Sequence, residues 1–267
     1  MAPSLDAMRS ELTAAMAGSQ PGRSAADALC ATSAGLCGVD GAAVSVVIDG
    51  MMSGTFGSSS EASRRMDEHQ FTFGEGPCLD AITSLAPVLA PDLASPDEQR
   101  WPLLRDAILA DGVRGVFALP IMVTSVCVGA LDLFRARPGP LEGDALAGAM
   151  LAAELASEPL VDLIAASRTA DRDEATFADI VGAQSDGEMH RVEVYQATGI
   201  LISALDVDAD EALLRLRAHA IATGQTASQV ARAVIERRLV LDRDGDRGRD
   251  RPPPPGDGPG TTGGDQR

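Results

Sequence analysis

Two stretches of apolar sequence, each split by a tight polar turn, constrain this chain more than any other feature. "VRGVFALPIMV" and "VCVGALDLF" flank Thr124-Ser125, while "AAVSVVID" and "MMSGTFGSS" meet at Asp49-Gly50. Asp-Gly between two β-forming runs is a strong hairpin signal, because the favoured two-residue turn needs positive φ. The near-continuous hydrophobicity of the other pair predicts a sheet covered on at least one face. Helical patterns surround these strands. Leu5, Met8, Leu12 and Met16 recur at helical spacing. "SAAD" at Ser24 to Asp27 resembles a capping box opening a helix with Leu29 and Leu36. "DEQRWPLLRDAILADG" predicts a helix with Leu103, Leu104, Ala107 and Ile108 inward and Gly112 as its stop. Helix, hairpin, helical elements and a second hairpin together predict α+β: an antiparallel sheet with flanking helices.

The stretch from Tyr195 to Leu239 reads differently, as three short helices. Asp208 opens "DADE", where its carboxylate can accept from the Glu211 amide while Glu211 reaches back. Gly224 predicts a left-handed stop, and Thr226 with Gln229 forms a second capping-box pattern. These phases put Leu213, Leu216 and Ala220 on one side of the second helix. Ala227, Val230, Ala231 and Val234 share a side of the third. Small residues, Gly199 among them, are expected to let the helices approach closely. A bundle of barely 50 residues has a small core and calls for a partner domain or a dimer.

Charge limits the possible functions. The formal net charge is -17, so the whole surface does not favour nucleic acid. All 22 basic residues are arginine. From Glu188 to Leu241 six arginines meet seven acids, and on charge alone these helices read as solvated faces. No apolar run is long enough for a membrane span, and the N-terminus lacks a signal-peptide pattern, which predicts a cytoplasmic protein. The four cysteines form no CxxC pair and there are three histidines, so no structural metal site is expected. His69, in a charged segment, argues against haem.

One loop, "GEGPCLDA", stands out. Gly74 and Gly76 permit tight turns, and Pro77 suits a first helical position. Cys78 then lies in the first turn, where a helix dipole favours a thiolate if the site is polar. Two readings stay open: a redox-sensing or anion-binding turn, and a buried structural cysteine. Cys30, Cys37 and Cys127 lie on apolar elements and are expected to pack.

"VYQATGILI", "ADEALLRLRAHA" and "SQVARAVI" together resemble the ANTAR domain of transcription antitermination regulators. The residues carrying the resemblance are Gln196, Ala197, Gly199, Ala212, Arg217, Ala220, Val230 and Ala231. The family pattern has a lysine where this chain has Thr198. "DGAAVSVV", "QFTFGEGPCLDA", "PVLAPDL", "RWP", "GVRGVFALPI" and "VGALDLFRARPGPL" are similar to GAF domains found upstream of ANTAR in actinobacteria. The resemblance implies a six-stranded antiparallel sheet with a pocket on one face, then an all-α three-helix ANTAR bundle.

The expected organisation is an N-terminal helix (1–23), a GAF sensor (24–158), a helical connector (159–187), an ANTAR domain (188–241) and a disordered tail (242–267). The resemblance implies a non-enzymatic regulator that binds a leader RNA hairpin competing with a terminator. The candidate RNA-binding residues are Tyr195, Gln196, Thr198, Arg215, Arg217 and Arg232. Guanidinium groups suit phosphate contact and stacking, and a hairpin loop offers splayed bases. Gly74, Gly76 and Cys78 form the candidate sensor loop, for a small-molecule or redox input of unknown identity. A homodimer is expected, with the helix around Ala145 to Leu163 transmitting the signal. Two alternatives remain: a protein-docking bundle that touches no RNA, and a methionine sulfoxide reductase using paired pocket cysteines.

Overall fold

The computed structural model describes residues 3–48, 51–161 and 192–241. The Asp49-Gly50 turn, most of the expected connector and the tail lie outside the described residues.

The elements run α1 (Leu5–Ala17), α2 (Arg23–Cys37), β1 (Gly41–Ile48), β2 (Met51–Ser58), α3 (Glu61–Phe73) and α4 (Pro77–Ser84). After them come β3 (Val88–Ala90), α5 (Pro102–Ala110), β4 (Gly115–Val123), β5 (Val126–Arg135) and α6 (Gly143–Leu155). The last three helices are α7 (Val192–Leu205), α8 (Ala209–Thr223) and α9 (Ala227–Ile235). Five strands, not six, form the sheet among the described residues, in the order β2-β1-β5-β4-β3 with antiparallel pairing throughout. Ile48 pairs with Met51, so β1 and β2 close over two residues as the Asp-Gly signal implied. Val123 pairs with Val126, and Thr124 takes φ 56° to make that turn.

Alternation along the strands separates two faces. Val44, Val46, Phe117, Leu119, Ile121, Leu131 and Leu133 pack with α1, α2 and α6 in one core. Ala43, Val116 and Phe134 face the other way, toward Met66, Trp101, Leu104 and Ile108 of the α3 and α5 layer. The sheet is therefore covered on both sides, which explains why its central strands read as apolar runs.

Local signals failed at two helices. α2 starts at Arg23 with Gly22 (φ 85°) as its N-cap and no side-chain cap. Ser24 therefore sits inside the first turn, and Asp27 instead accepts from the Ser58 amide at 2.7 Å, pinning α2 to β2. On α5, Leu104 and Ile108 are buried but Leu103 is exposed, since one residue along a helix turns a side chain about 100° away.

The C-terminal caps are better anticipated. Asp208 accepts from the Glu211 amide at 2.9 Å, although Glu211 turns to Arg215 instead of reaching back. Thr226 and Gln229 complete a reciprocal capping box. Gly224 closes α8 at φ 65°. Ala197, Leu201, Leu216, Ala220, Val230 and Val234 meet in the bundle core. Gly199 does not: it faces outward, and a Cβ there would meet nothing within 4 Å.

Candidate functional site

Between the sheet and α3 lies a buried polar cluster. α3 folds with Ser60 as N-cap, and its inner side carries Asp67 and Gln70 beside Met66 and Phe71. β1 supplies Ser45, β2 supplies Thr55, β5 supplies Asp132 and α4 supplies Cys78, all buried. Ser45 and Thr55 donate to the two Asp67 oxygens, Thr55 at 2.5 Å. Ser45 also reaches Asp132 at 3.3 Å. Gln70 Oε1 accepts from the Cys78 amide at 2.8 Å, which ties the start of α4 to α3. Burial and the nearby Asp67 charge push the Asp132 carboxyl up to about 7.

The glycine loop makes this closeness possible. Gly74 caps α3 in the left-handed region at φ 68°, and Gly76 precedes α4 at φ 147°. A Cβ on Gly76 would lie 2.5 Å from Gln70 Oε1 and 2.8 Å from Leu104. Pro77 begins α4 and Cys78 follows in its first turn, as the sequence indicated. The thiol, however, is not activated. Burial first, then the Asp132 and Asp67 charges, push it well above the ordinary thiol range. A helix dipole contributes about 0.3–1 kcal/mol, which is small against complete desolvation. Cys78 is thus held as a thiol, and burial likewise raises Cys30, Cys37 and Cys127.

The C-terminal candidates divide. Tyr195 and Gln196 are exposed on α7. Thr198, expected beside them, is buried, and its hydroxyl donates to the Val194 carbonyl at 2.7 Å. Its position three residues after Tyr195, near the line of Val194 and Leu201, turns it toward the bundle. Arg215 pairs with Glu211 at 2.7 Å and Arg232 with Glu193 at 3.5 Å. Arg217 lies with its guanidinium 4.6 Å from the centre of the Phe71 ring, and its Nε is buried.

The GAF domain family model matches residues 22–158, and the ANTAR domain model matches residues 189–235. The chain belongs to the GAF family and carries a C-terminal ANTAR domain. It is a regulator of the GAF–ANTAR kind. Among solved structures, the GAF domain of an Acinetobacter phosphoenolpyruvate-protein phosphotransferase aligns at 13% identity and a TM-score of 0.50, covering 63% of this chain and 99% of that one. The corresponding GAF domain from Coxiella burnetii aligns at 15% identity and a TM-score of 0.48, covering 61% and 96%. The first similarity supports the fold alone. No curated protein matches the sequence. No described helix is long and apolar enough to cross a membrane.

The GAF and ANTAR domains meet along α3. Thr72 Oγ1 accepts from the Ala227 amide at 3.0 Å, and Glu68 accepts from the Ser228 amide at 3.4 Å. A GAF residue thereby satisfies a free amide in the first turn of an ANTAR helix. Phe71, Cys78, Ile82 and Ala130 join the ANTAR core residues in one apolar cluster. The helix expected to transmit the signal, α6, packs on α1, α2, β4 and β5, and its expected end at 162–163 lies outside the described residues. The partner domain that the small bundle called for is the GAF layer of α3 and α4.

The buried cluster escaped sequence reasoning. "SSEASRRMDEHQ" reads as a charged surface segment, yet Ser63, Met66, Asp67 and Gln70 share its inner face. The signals were available. Asp132 stands alone within the apolar run "VCVGALDLF", and a lone acid in a covered strand must find partners.

Proposed function

We propose that the protein binds an RNA hairpin through its ANTAR domain to promote transcription antitermination, and that the GAF domain controls this binding by holding or releasing Arg217. The match of residues 189–235 to the ANTAR model supports the RNA reading. The stacking of Arg217 on Phe71 is the observation that carries the control.

In this reading Tyr195 and Gln196 supply stacking and base-edge contacts to a splayed loop. Arg215 and Arg232 exchange their surface carboxylate partners for phosphate. Such ion pairs are worth about 0–1 kcal/mol, so the exchange costs little. Thr198 shapes α7 from within and leaves the contact set. Arg217 must leave Phe71 before it can reach RNA, so the docked arrangement is the closed state. A signal at the GAF domain that loosens α3 opens it. The protein acts in the cytoplasm, as a homodimer, without an enzymatic step.

A second reading has its own support. With Thr198 buried and three arginines engaged, the bundle also suits docking to a protein without RNA. Filter binding of the full chain to hairpin RNAs at stated salt separates the two. The RNA reading expects Arg217→Ala to weaken binding at least tenfold with an unchanged circular dichroism spectrum. Hairpin affinity no better than for unstructured RNA, or indifferent to Arg217→Ala, would overturn it.

A further inference from the structure

We propose that Asp67, Cys78 and Asp132 form a binding site for a divalent transition ion of the zinc class. One donor atom from each residue lies within 4.8 Å of the others, and all three residues are buried. A small inward adjustment brings such a set onto an ion at about 2.0–2.3 Å from each donor.

One unsatisfied acceptor points to a missing occupant. Asp132 Oδ1 is buried without a hydrogen-bond partner. The residue is 0% exposed. Among the described residues no ion pair reaches Asp132. A buried carboxylate without a cation is expensive, and a divalent ion between two of them removes that cost.

The donor chemistry selects the ion. Calcium and magnesium take oxygen ligands, so a thiolate makes no sense for them. Copper(I) favours sets dominated by sulfur. Two carboxylates and one thiolate fit a borderline ion such as zinc. Binding releases the Cys78 proton to solvent and forms the metal–sulfur bond, as thiol coordination requires. Ser45 and Thr55 become the outer partners that orient the carboxylates. The three ligands come from α3, α4 and β5, which is why no Cys/His spacing reveals the site.

The inference does not depend on RNA as the output. The test uses the full chain, stripped with a chelator and dialysed against zinc or cobalt(II). One equivalent should be retained, the melting temperature should rise, and cobalt should give a thiolate charge-transfer band. Cys78→Ser should abolish that band and Asp132→Asn should weaken retention at least tenfold, while Cys127→Ser changes neither. X-ray absorption on the zinc-loaded wild type, which needs no variant to fold, should show one sulfur at about 2.3 Å. Substoichiometric retention, retention indifferent to Cys78→Ser, or a ligand shell without sulfur would overturn the site and leave a proton-sharing carboxylate pair.

Discussion

The GAF and ANTAR domains keep their polar chemistry in opposite places. In the GAF domain Ser45, Thr55, Asp67, Gln70, Cys78 and Asp132 converge inward from five elements. In the ANTAR domain Tyr195, Gln196, Arg215 and Arg232 stand on the outer sides of single helices. A buried network depends on every neighbour holding its position, whereas a surface set tolerates exchange of partners. Two glycines sharpen the contrast. The largest effect is expected at Gly76, where φ is 147° and a Cβ would strike Gln70 Oε1. Gly76→Ala should destabilise the protein by about 3 kcal/mol or more in urea unfolding. A loss below about 1 kcal/mol would show that the inner network yields as easily as a surface.

Acidity probes the same network. The Asp132 carboxyl moves up to about 7 on folding, from 3.8. The native state therefore holds the proton more tightly than the unfolded chain. Stability contributed by the protonated form is complete below about 4, is lost as pH rises, and levels off above about 7. For the metal-free protein the loss should be on the order of 2–4 kcal/mol between pH 5 and pH 8. Denaturant midpoints across that range measure it, and Asp132→Asn should flatten the profile. A profile equally steep in that variant would assign the titration to another group.

Legibility in the sequence follows the same division. Features set by nearby residues were readable: the hairpin closing at Ile48 and Met51, the Gly224 stop, the Thr226 capping box and the Pro77 helix start. Features that depend on what packs above a residue were not. Arg217 lies on a helix whose phase was correctly anticipated, yet the GAF domain engaged it. On α7 the phase itself was missed, with Thr198 turned inward and Gly199 outward. Asp67 and Asp132 are separated by more than sixty positions and meet only because α3 lies over β1 and β2 while β5 pairs alongside β1. No pattern within a helix or strand carries that information.

The junction between the regions supplies an intermediate effect. Thr72→Val keeps side-chain shape but leaves the Ala227 amide without its acceptor. A buried amide left unpaired costs about 1–2 kcal/mol. Hydrogen exchange at residues 227–235 should accelerate, and full-chain affinity for hairpin RNA should rise several-fold as Arg217 is released. Unchanged exchange would mean that the docking does not rely on this contact.

The smallest effect is expected at the second glycine. Gly199 sits mid-helix on α7, faces outward beside Gln196, and has open space where a side chain would begin. Gly199→Ala should stabilise the bundle by up to about 1 kcal/mol, because alanine loses less backbone freedom on entering a helix. The same methyl would stand on the face assigned to RNA, where a missing side chain lets a backbone or base come close. Thermal unfolding and filter binding on one preparation should therefore move in opposite directions: a higher melting temperature and weaker hairpin binding. A stabilised variant with undiminished affinity would place the RNA contact away from Gly199 and leave Arg215, Arg217 and Arg232 as the surface to map.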